Sequence, residues 1–531
     1  MLKKIRSWAM WRVLLAAALL CSSAWSGWAA APQTAVRKPP KLVVVLIIDQ
    51  FRYDYLTRFR GEYTGGFGRL WRNGAVFTNA HLQDFPAVTA VGHSTILTGA
   101  TPSLSGIVGN DWYDRELGRQ VASVFDPQAT LLGGGKGAGA SPQRLLVSTV
   151  GDELKMAGKG ASRVIGISLK DRSAILSVGR MADAAYWFDN TTGNFISSTF
   201  YFPELPAWVK EFNAKRAVDK FAGAEWKSAS GKLLKTLPTA LGSRYYDSLG
   251  RSPFGAELLI SFAERAFEAE QLGARDATDL VSISLSSTDS VGHTFGPDSP
   301  EIGDLNIQTD RMLGQFFQYL DKRLRPGTVL VVFTADHGVA PLPEVQTERR
   351  MPGGRLSEAT LGKAVEAALA AKYGESRWVL YSDHGTFWLN RALIGQKNLK
   401  EAEVEECAAA ALTGLPHVSR VYTRAQLLLG QFIQDRLGLR VANGFCPGRS
   451  GDVIAVLEPY WIYGARDAAH GTAYSYDTHL PIVFMGPGIK PGFYDQNVAV
   501  NDIAPTLATI LEVETPSGSI GRVLSEMLES R

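Results

Sequence analysis

The sequence predicts an α/β fold: a doubly wound, mostly parallel sheet with helices on both faces and an inserted cap region. Short apolar runs rich in β-branched residues are typical of strands that a parallel sheet buries on both faces. Helical patterns lie between these runs, and alternating strands and helices favour a doubly wound topology. The strand-like runs are 42–48, 280–285 and 329–333, and the helical patterns cover 256–272, 302–324 and 361–372.

The first thirty residues have the order of a secretory signal peptide. Four basic residues, the last of them Arg12, precede an apolar run at 13–21 and small residues up to Ala31. The run is too short to span a bilayer, which takes roughly 20 apolar residues. We therefore expect residues 1–30 to be removed and the protein to be exported to the periplasm or the medium, without a transmembrane anchor.

Composition shifts divide the rest of the chain. We expect the α/β core to be built from residues 31–185, 254–378 and 452–531. The stretch 186–253 is rich in aromatic residues and proline and lacks a strand–helix rhythm, which predicts an insertion that caps the site. The irregular stretch 379–451 predicts a second insertion or lobe.

The charge balance excludes a strongly basic binding protein. The chain has 55 Lys+Arg and 52 Asp+Glu, a net charge of +3. Without the four basic residues of 1–29 the net charge becomes −1, so no basic field for nucleic acid remains and no nucleic-acid-binding domain is expected. Cys407 and Cys446 lie beyond the leader, and the sequence leaves open whether they pair and how the chain oligomerises.

Three aspartates follow the three strand-like runs. Asp49 ends the first run, Asp289 comes shortly after the second, and Asp336 follows the third. Ligand sites of open α/β sheets lie beyond the carboxyl ends of the strands. The sequence therefore predicts that these carboxylates meet at one edge of the sheet.

Histidines accompany these aspartates in spacings that suit metal ligation. His293 is four residues after Asp289, His337 is adjacent to Asp336, and His479 lies two residues after Asp477. Each pair alone is also compatible with a turn or with a chance pairing of polar residues on the surface, but the three pairs together favour metal binding. Mixed Asp and His ligands favour zinc over magnesium or calcium. Three aspartates and three histidines suffice for two zinc ions with three protein ligands each, so each ion keeps one position open. Two such ions can hold the attacking and the leaving oxygen of an in-line displacement.

Thr89 is the candidate nucleophile. It stands just ahead of a predicted helix at 90–97, where free backbone N–H groups and the helix dipole favour an anion. A bound zinc ion would lower the pKa of its hydroxyl. The alternative is that Thr89 only caps the helix. Ser94, Thr95 and Thr98 are rival hydroxyls that lie further inside it.

Seven segments, in the same order along most of the mature chain, give the sequence a family resemblance. They are IIDQFRYDYL, FPAVTAVGHSTILTG, GIVGNDWYD, SLKDRSAI, STDSVGHTFGP, TADHG and HGTAYSYDTHLP. With these motifs the chain resembles the threonine-nucleophile (PafA-type) branch of the alkaline phosphatase superfamily. The resemblance implies an alkaline phosphatase that hydrolyses phosphate monoesters at a two-zinc site through a phosphothreonine intermediate.

The resemblance also implies a role for each site residue. Thr89 would be the nucleophile and, with Asp49, Asp336 and His337, would bind one zinc. The other zinc would be bound by Asp289, His293 and His479. The substrate phosphate would be contacted by Asn110, Lys170 and Arg172. His470 is left open as a residue that orients a ligand or has a structural role.

The spacing of Lys170 and Arg172 supports a phosphate contact. Residues two apart in an extended segment point to one side, and an ammonium with a guanidinium suits a dianionic phosphoryl group. This pair should favour monoesters over diesters. A phosphodiesterase or nucleotide pyrophosphatase on the same metal core and a non-catalytic periplasmic metal- or phosphate-binding protein remain as alternatives. A sulfatase is disfavoured because 446–449 (CPGR) has the wrong spacing.

Overall fold

Seven consecutive apolar residues form the central strand of the sheet, and all seven are buried. In the computed structural model, which describes residues 39–464 and 467–529, this strand is flanked on both sides by parallel strands. Burial on both faces explains why the run lacks polar alternation. The predicted signal peptide lies outside the described residues.

Among the described residues, the two largest sheets have eleven and four strands, and four further sheets have two strands each. The strands used below are β1 (Leu42–Ile48), β2 (Ala75–His81), β3 (Leu131–Leu132), β4 (Val164–Ser168), β5 (Ala184–Asp189), β6 (Asn194–Ser198), β7 (Asp279–Leu285), β8 (Val329–Thr334), β9 (Val379–Asp383), β10 (Thr386–Leu389), β11 (Val418–Thr423), β12 (Val453–Leu457), β13 (His479–Met485), β14 (Gly492–Tyr494) and β15 (Val498–Ala499).

The large sheet is mostly parallel. Its order is β14–β2–β13–β8–β1–β7–β4–β5–β6–β3, with β15 also paired to β2. The five strands from β8 to β5 are mutually parallel, whereas β13 runs antiparallel between β8 and β2. The register pairs Ile48 with Leu285 and Ile47 with Thr334. The carboxyl ends of β8, β1 and β7 are therefore level, and the residues that follow them emerge side by side.

Helices cover both faces of this sheet. The helices used below, of which α9, α10 and α11 lie outside this sheet, are α1 (Tyr53–Arg58), α2 (Gly66–Asn73), α3 (Thr89–Thr98), α4 (Val150–Ala157), α5 (Asp171–Leu176), α6 (Pro253–Ala269), α7 (Ser287–Phe295), α8 (Pro300–Arg323), α9 (Glu358–Tyr373), α10 (Glu401–Thr413), α11 (Arg436–Gly444) and α12 (Ile503–Leu511). Helix α8 packs against α2, α6 and α7, while α3 packs against α5 and α12. The predicted doubly wound α/β class is confirmed.

The stretch 186–253 extends the core, although the sequence predicted a cap over the site. The strands β5 and β6 lie in the large sheet, so the expected boundary at 186 cuts through β5. Aromatic residues of the stretch, such as Trp208, Trp226 and Tyr245, are buried in the main hydrophobic core. Their apolar area is better buried against helix α6 than over a polar site, which explains the composition that suggested an insertion.

A smaller lobe is built around the four-stranded sheet β9–β10–β12–β11. The helices α9 and α10 pack on this sheet and share with it a hydrophobic cluster that includes Leu361, Trp378 and Val453. The lobe is therefore wider than the expected 379–451. Cys407 and Cys446 are free thiols in separate hydrophobic clusters.

Asp84 makes the stability of the fold depend on pH. Its side chain is fully buried and accepts a hydrogen bond from Thr95. Burial raises the pKa of Asp84 to about 7. Because the folded state holds this proton more tightly than the unfolded state does, the contribution of Asp84 to stability is full below about pH 4 and is lost as the pH rises through about 7.

We expect Asp84→Asn to remove this dependence. The free energy of unfolding of the variant, relative to that of the unsubstituted protein, should rise by up to about 4 kcal/mol between pH 4 and pH 8. Denaturant unfolding of the metal-free protein at several pH values measures it. A difference between the two proteins that does not change with pH would contradict the assignment.

Candidate active site

Three buried carboxylates meet at the carboxyl edge of the large sheet. Asp49 follows β1, Asp336 comes two residues after β8, and Asp289 lies in the first turn of α7, just after β7. Asp49 and Asp336 are fully buried and Asp289 is nearly so. Level strand ends bring them together, as the sequence predicted, because consecutive parallel strands deliver their last residues to one edge.

Asp289, His293 and His470 form a first set of potential ligands, with ligand atoms within 4.8 Å of one another. The Nε2 atoms of His293 and His470 lie 3.1 and 3.9 Å from Asp289 Oδ1. Each imidazole donates its Nδ1–H to a backbone carbonyl, that of Ala468 for His293 and that of Ala87 for His470. This leaves the Nε2 atoms of both rings facing the carboxylate, the orientation that a metal ligand needs.

Asp49, Asp289 and His337 form a second, overlapping set. His337 Nε2 lies 3.5 Å from Asp49 Oδ1 and 3.4 Å from Asp336 Oδ2, and its Nδ1 donates to the Gly338 carbonyl. Asp49 Oδ1 is buried and has no hydrogen-bond partner among the described residues. A buried, unpaired carboxylate oxygen is costly unless a cation compensates it. The donor set of this centre therefore fits divalent metal ions.

Thr89 is the first residue of α3 and is 1% exposed. Its Oγ1 lies 3.4 Å from His337 Nε2, beside the second set. The rival hydroxyls are engaged elsewhere: Ser94 and Thr98 donate to carbonyls of their own helix, and Thr95 donates to Asp84. Thr89 is thus the hydroxyl of α3 that faces the metal-ligand candidates.

Asn110 lies beside the start of α3, and Lys170 lies among the metal-ligand candidates. Asn110 Oδ1 accepts the backbone N–H of Ala90, so its amide nitrogen is left to donate to another group. Lys170 Nζ lies 2.6 Å from Asp49 Oδ2 and 2.6 Å from Asp289 Oδ2. Arg172, in α5 against α3, has a buried Nε with no hydrogen-bond partner among the described residues. These donors converge on one side of the metal-ligand candidates.

The pKa values reflect an excess of buried negative charge. Burial, together with the Asp336 carboxylate, raises the pKa of Asp49 well above its usual value. Burial also opposes the charge of Asp289, but Lys170 and His293 outweigh it and hold its pKa well below its usual value. Burial lowers the pKa of His470 and keeps its ring neutral. Three buried carboxylates this close together, one of them with a raised pKa, form an arrangement that divalent cations would stabilise.

His479 is the predicted ligand that the structure does not bring into the cluster. Its ring is stacked between Tyr53 and His81, and its Nε2 lies 2.9 Å from the Thr78 carbonyl. As the first residue of β13, an antiparallel strand beyond β8, it emerges beside β2 and away from β1 and β7. The expected ligand set is therefore corrected: His470, which the sequence left open, occupies the place expected for His479.

Sequence reasoning also missed His93, which lies beside Asp336. Its Nδ1 is 2.9 Å from the Thr89 carbonyl and 3.1 Å from Asp336 Oδ2, so it links the nucleophile candidate to a ligand candidate.

A sequence signal for His470 is the glycine that follows it, since Gly338 also follows His337. A Cβ at Gly338 would lie 2.2 Å from the Tyr476 carbonyl oxygen. A Cβ at Gly471 would lie 2.4 Å from the His384 ring. Glycine thus permits close packing behind both imidazoles.

A third set of potential ligands, Glu358, Asp383 and His384, lies in the smaller lobe. Burial alone would lower the pKa of His384, but Asp383 and Glu358 raise it to about 9. The imidazole is then a cation that balances its acidic neighbours. We assign no metal ion to this set, because none of the nucleophile or phosphate-contact candidates named above belongs to it.

Known proteins share both sequence and fold with this chain. Residues 43–479 match the profile of the type I phosphodiesterase / nucleotide pyrophosphatase family. The chain is 36% identical to alkaline phosphatase PafA of Elizabethkingia meningoseptica, covering 95% of this chain and 97% of that protein. It is 37% identical to alkaline phosphatase PhoV of Synechococcus elongatus, covering 94% of each chain. A crystal structure of wild-type alkaline phosphatase PafA superposes with a TM-score of 0.87 at 34% identity, covering 93% of this chain and 99% of that chain.

The match is not confined to a shared core. The family profile spans most of the chain, and the relatives align along nearly their whole length. The resemblance inferred from seven sequence motifs is thereby confirmed. The chain belongs to the type I phosphodiesterase / nucleotide pyrophosphatase family of the alkaline phosphatase superfamily, and within it to the PafA-type branch.

Proposed function

We propose that the protein is an alkaline phosphatase that hydrolyses phosphate monoesters at a two-zinc site. The observation that carries this proposal is the position of Thr89, whose Oγ1 lies 3.4 Å from His337 Nε2 at the edge of two overlapping sets of metal ligands. A phosphoric ester hydrolase is also what the family and the named relatives support.

The proposed ligand sets follow the strand ends. Asp49, Asp336 and His337, together with the Thr89 oxygen, would hold one ion. Asp289, His293 and His470 would hold the other. Mixed carboxylate and imidazole donors, three per ion, favour zinc and leave a position open on each ion.

The reaction follows from where Thr89 sits. When bound, the zinc ions supply positive charge to the threonine oxygen, the phosphoryl oxygens and the departing oxygen. Thr89 gives up its hydroxyl proton and its Oγ1 attacks phosphorus in line with the leaving group. A P–O bond to Thr89 forms, the ester P–O bond breaks, and the departing oxygen takes up a proton to leave as an alcohol. Water then hydrolyses the phosphothreonine and releases phosphate. The chain contributes mainly positioning and fixed charge.

The donors around Thr89 account for substrate choice. Asn110, Lys170 and Arg172 offer an amide, an ammonium and a guanidinium to the non-bridging phosphoryl oxygens. A monoester presents one more charged oxygen than a diester and so gains more from two cations. The alternative, a diesterase, is supported by the name of the matching family.

An assay of the purified protein with zinc tests the proposal. Chromogenic p-nitrophenyl phosphate should be hydrolysed with a kcat/KM at least about 100-fold above that for bis-p-nitrophenyl phosphate, since about 3 kcal/mol of charge-assisted bonding separates them. A preference for the diester would support the diesterase. A protein that binds phosphate without hydrolysing either ester would be the non-catalytic alternative.

Paired histidine variants test the corrected ligand set. His470→Ala should lose about one zinc per chain and most of its activity, because the first set keeps only two side chains. His479→Ala, the matched control, should retain both ions. Elemental analysis after dialysis measures the zinc content. Loss of zinc from the His479 variant alone would show that the correction is mistaken.

Export is part of the proposal and is supported by the leader-like order of residues 1–30. Among residues 39–464 and 467–529, no helix has the length and apolar character needed to cross a bilayer. Small phosphate monoesters are the proposed substrates.

A further inference from the structure

Gln50 has a strained backbone in the centre of the site. It follows Asp49 directly, is fully buried and has φ of 64°. This left-handed region is unfavourable for a residue with a side chain and is retained where the surroundings require it. The contacts of Gln50 must therefore offset the cost of this backbone conformation.

Gln50 donates hydrogen bonds to two carboxylates that come from different strands. Its backbone N–H donates to Asp336 Oδ1 at 3.1 Å, and its side-chain Nε2 donates to Asp289 Oδ1 at 2.8 Å. One residue just beyond the end of β1 thus reaches both neighbouring strand ends, with its backbone N–H on one side and its side chain on the other.

The orientation of the amide is set by its surroundings. The NH2 end of the amide faces Asp289, whose Oδ1 accepts its hydrogen bond. The Oε1 end points towards Gly292, where a Cβ would lie only 1.9 Å from it. Glycine at 292, one residue before His293 in α7, therefore admits the amide of Gln50 next to the first ligand set.

Both oxygens of Asp289 are held in this way. Lys170 Nζ contacts Oδ2 and Gln50 Nε2 contacts Oδ1. Lys170 is also a candidate phosphate ligand, whereas the buried Gln50 is committed to the carboxylate. A donor that fixes the plane of a ligating carboxylate raises metal affinity.

We propose that Gln50 is a positioning residue: its side-chain amide aligns Asp289 for the ion held by Asp289, His293 and His470. Its backbone N–H separately orients Asp336 for the other ion. The inference rests on the proposed two-zinc site. It implies that loss of the side chain weakens one ion selectively.

Gln50→Gly tests this because glycine adopts a left-handed backbone without strain. The N–H to Asp336 is then retained while the amide is lost. In a competitive chelator titration with zinc, the unsubstituted protein should bind two ions. The variant should bind one ion with unchanged affinity and the other at least about tenfold more weakly. Gln50→Met, which keeps the length without the donor, should give the same selective loss.

Gln346→Met is the matched control, since Gln346 is buried but lies in the helix 343–348 outside the site. It should bind both ions as the unsubstituted protein does. Unchanged affinity for both ions in Gln50→Gly and Gln50→Met would overturn the inference, as would equal weakening of both. If the unsubstituted protein binds fewer than two ions, the proposed two-zinc site is wrong. This result is distinct from one in which two ions bind but the Gln50 variants do not weaken one of them.

Discussion

Thr89→Ala is expected to lower kcat/KM for a phosphate monoester by at least about 10⁴-fold, because removal of a covalent nucleophile leaves only positioning and electrostatic stabilisation. Zinc content should stay near two ions per chain, since each ion keeps three protein ligands. Steady-state kinetics with p-nitrophenyl phosphate and elemental analysis of the same sample measure both quantities.

Two neighbouring variants are the controls for this result. Thr89→Ser retains a hydroxyl at the first position of α3 and should form a phosphorylated serine. Ser94→Ala removes a hydroxyl that donates to the Val91 carbonyl in the same helix, and it should leave kcat/KM nearly unchanged. A Thr89→Ala protein that keeps its activity would refute the nucleophile assignment.

The double variant Lys170→Ala/Arg172→Ala is expected to have the second largest effect. Each charge-assisted contact contributes roughly 1.5–3 kcal/mol, so kcat/KM for the monoester should fall by about 10² to 10⁴-fold. The diester should lose much less, because it presents fewer charged oxygens. The ratio of the two kcat/KM values is the measurement.

The two residues require separate variants as well. Lys170 contacts Asp49 and Asp289, so Lys170→Ala also changes the charge around the metal ligands and its zinc content must be measured. Arg172 contacts no ligand carboxylate, and Arg172→Ala isolates the phosphate contact. Arg251→Ala, at an exposed ion pair with Asp247, is the control. Equal losses on both esters would favour the diesterase reading.

Strand ends are the part of this site that sequence predicts best. Continuous apolar runs locate β1, β7 and β8, and the rule for parallel sheets then brings Asp49, Asp289 and Asp336 together. Strand ends do not predict the position of residues in loops, which depends on packing against distant parts of the chain. His470 lies in a loop some residues after the short strand Trp461–Tyr463, so no strand end predicts its position, and the sequence pattern favours the more conspicuous His479.

Composition was a poor guide to the stretch 186–253. Aromatic residues and prolines suggested a cap, yet β5 and β6 continue the sheet and Trp208 packs into the main core. Antiparallel β6 follows β5 by a short turn and has no helix between, so the strand–helix rhythm stops although the sheet does not. The role of Gln50 is not predicted by the sequence, because it depends on a left-handed backbone that hydrophobic periodicity does not indicate.

Anomalous diffraction at the zinc edge from crystals of the zinc-loaded protein tests the central claim most directly. The account predicts two peaks per chain, one within bonding distance of Asp289, His293 and His470, and one within bonding distance of Asp49, Asp336, His337 and the Thr89 oxygen. A single peak, a peak coordinated by His479, or a Thr89 oxygen remote from both ions would contradict it.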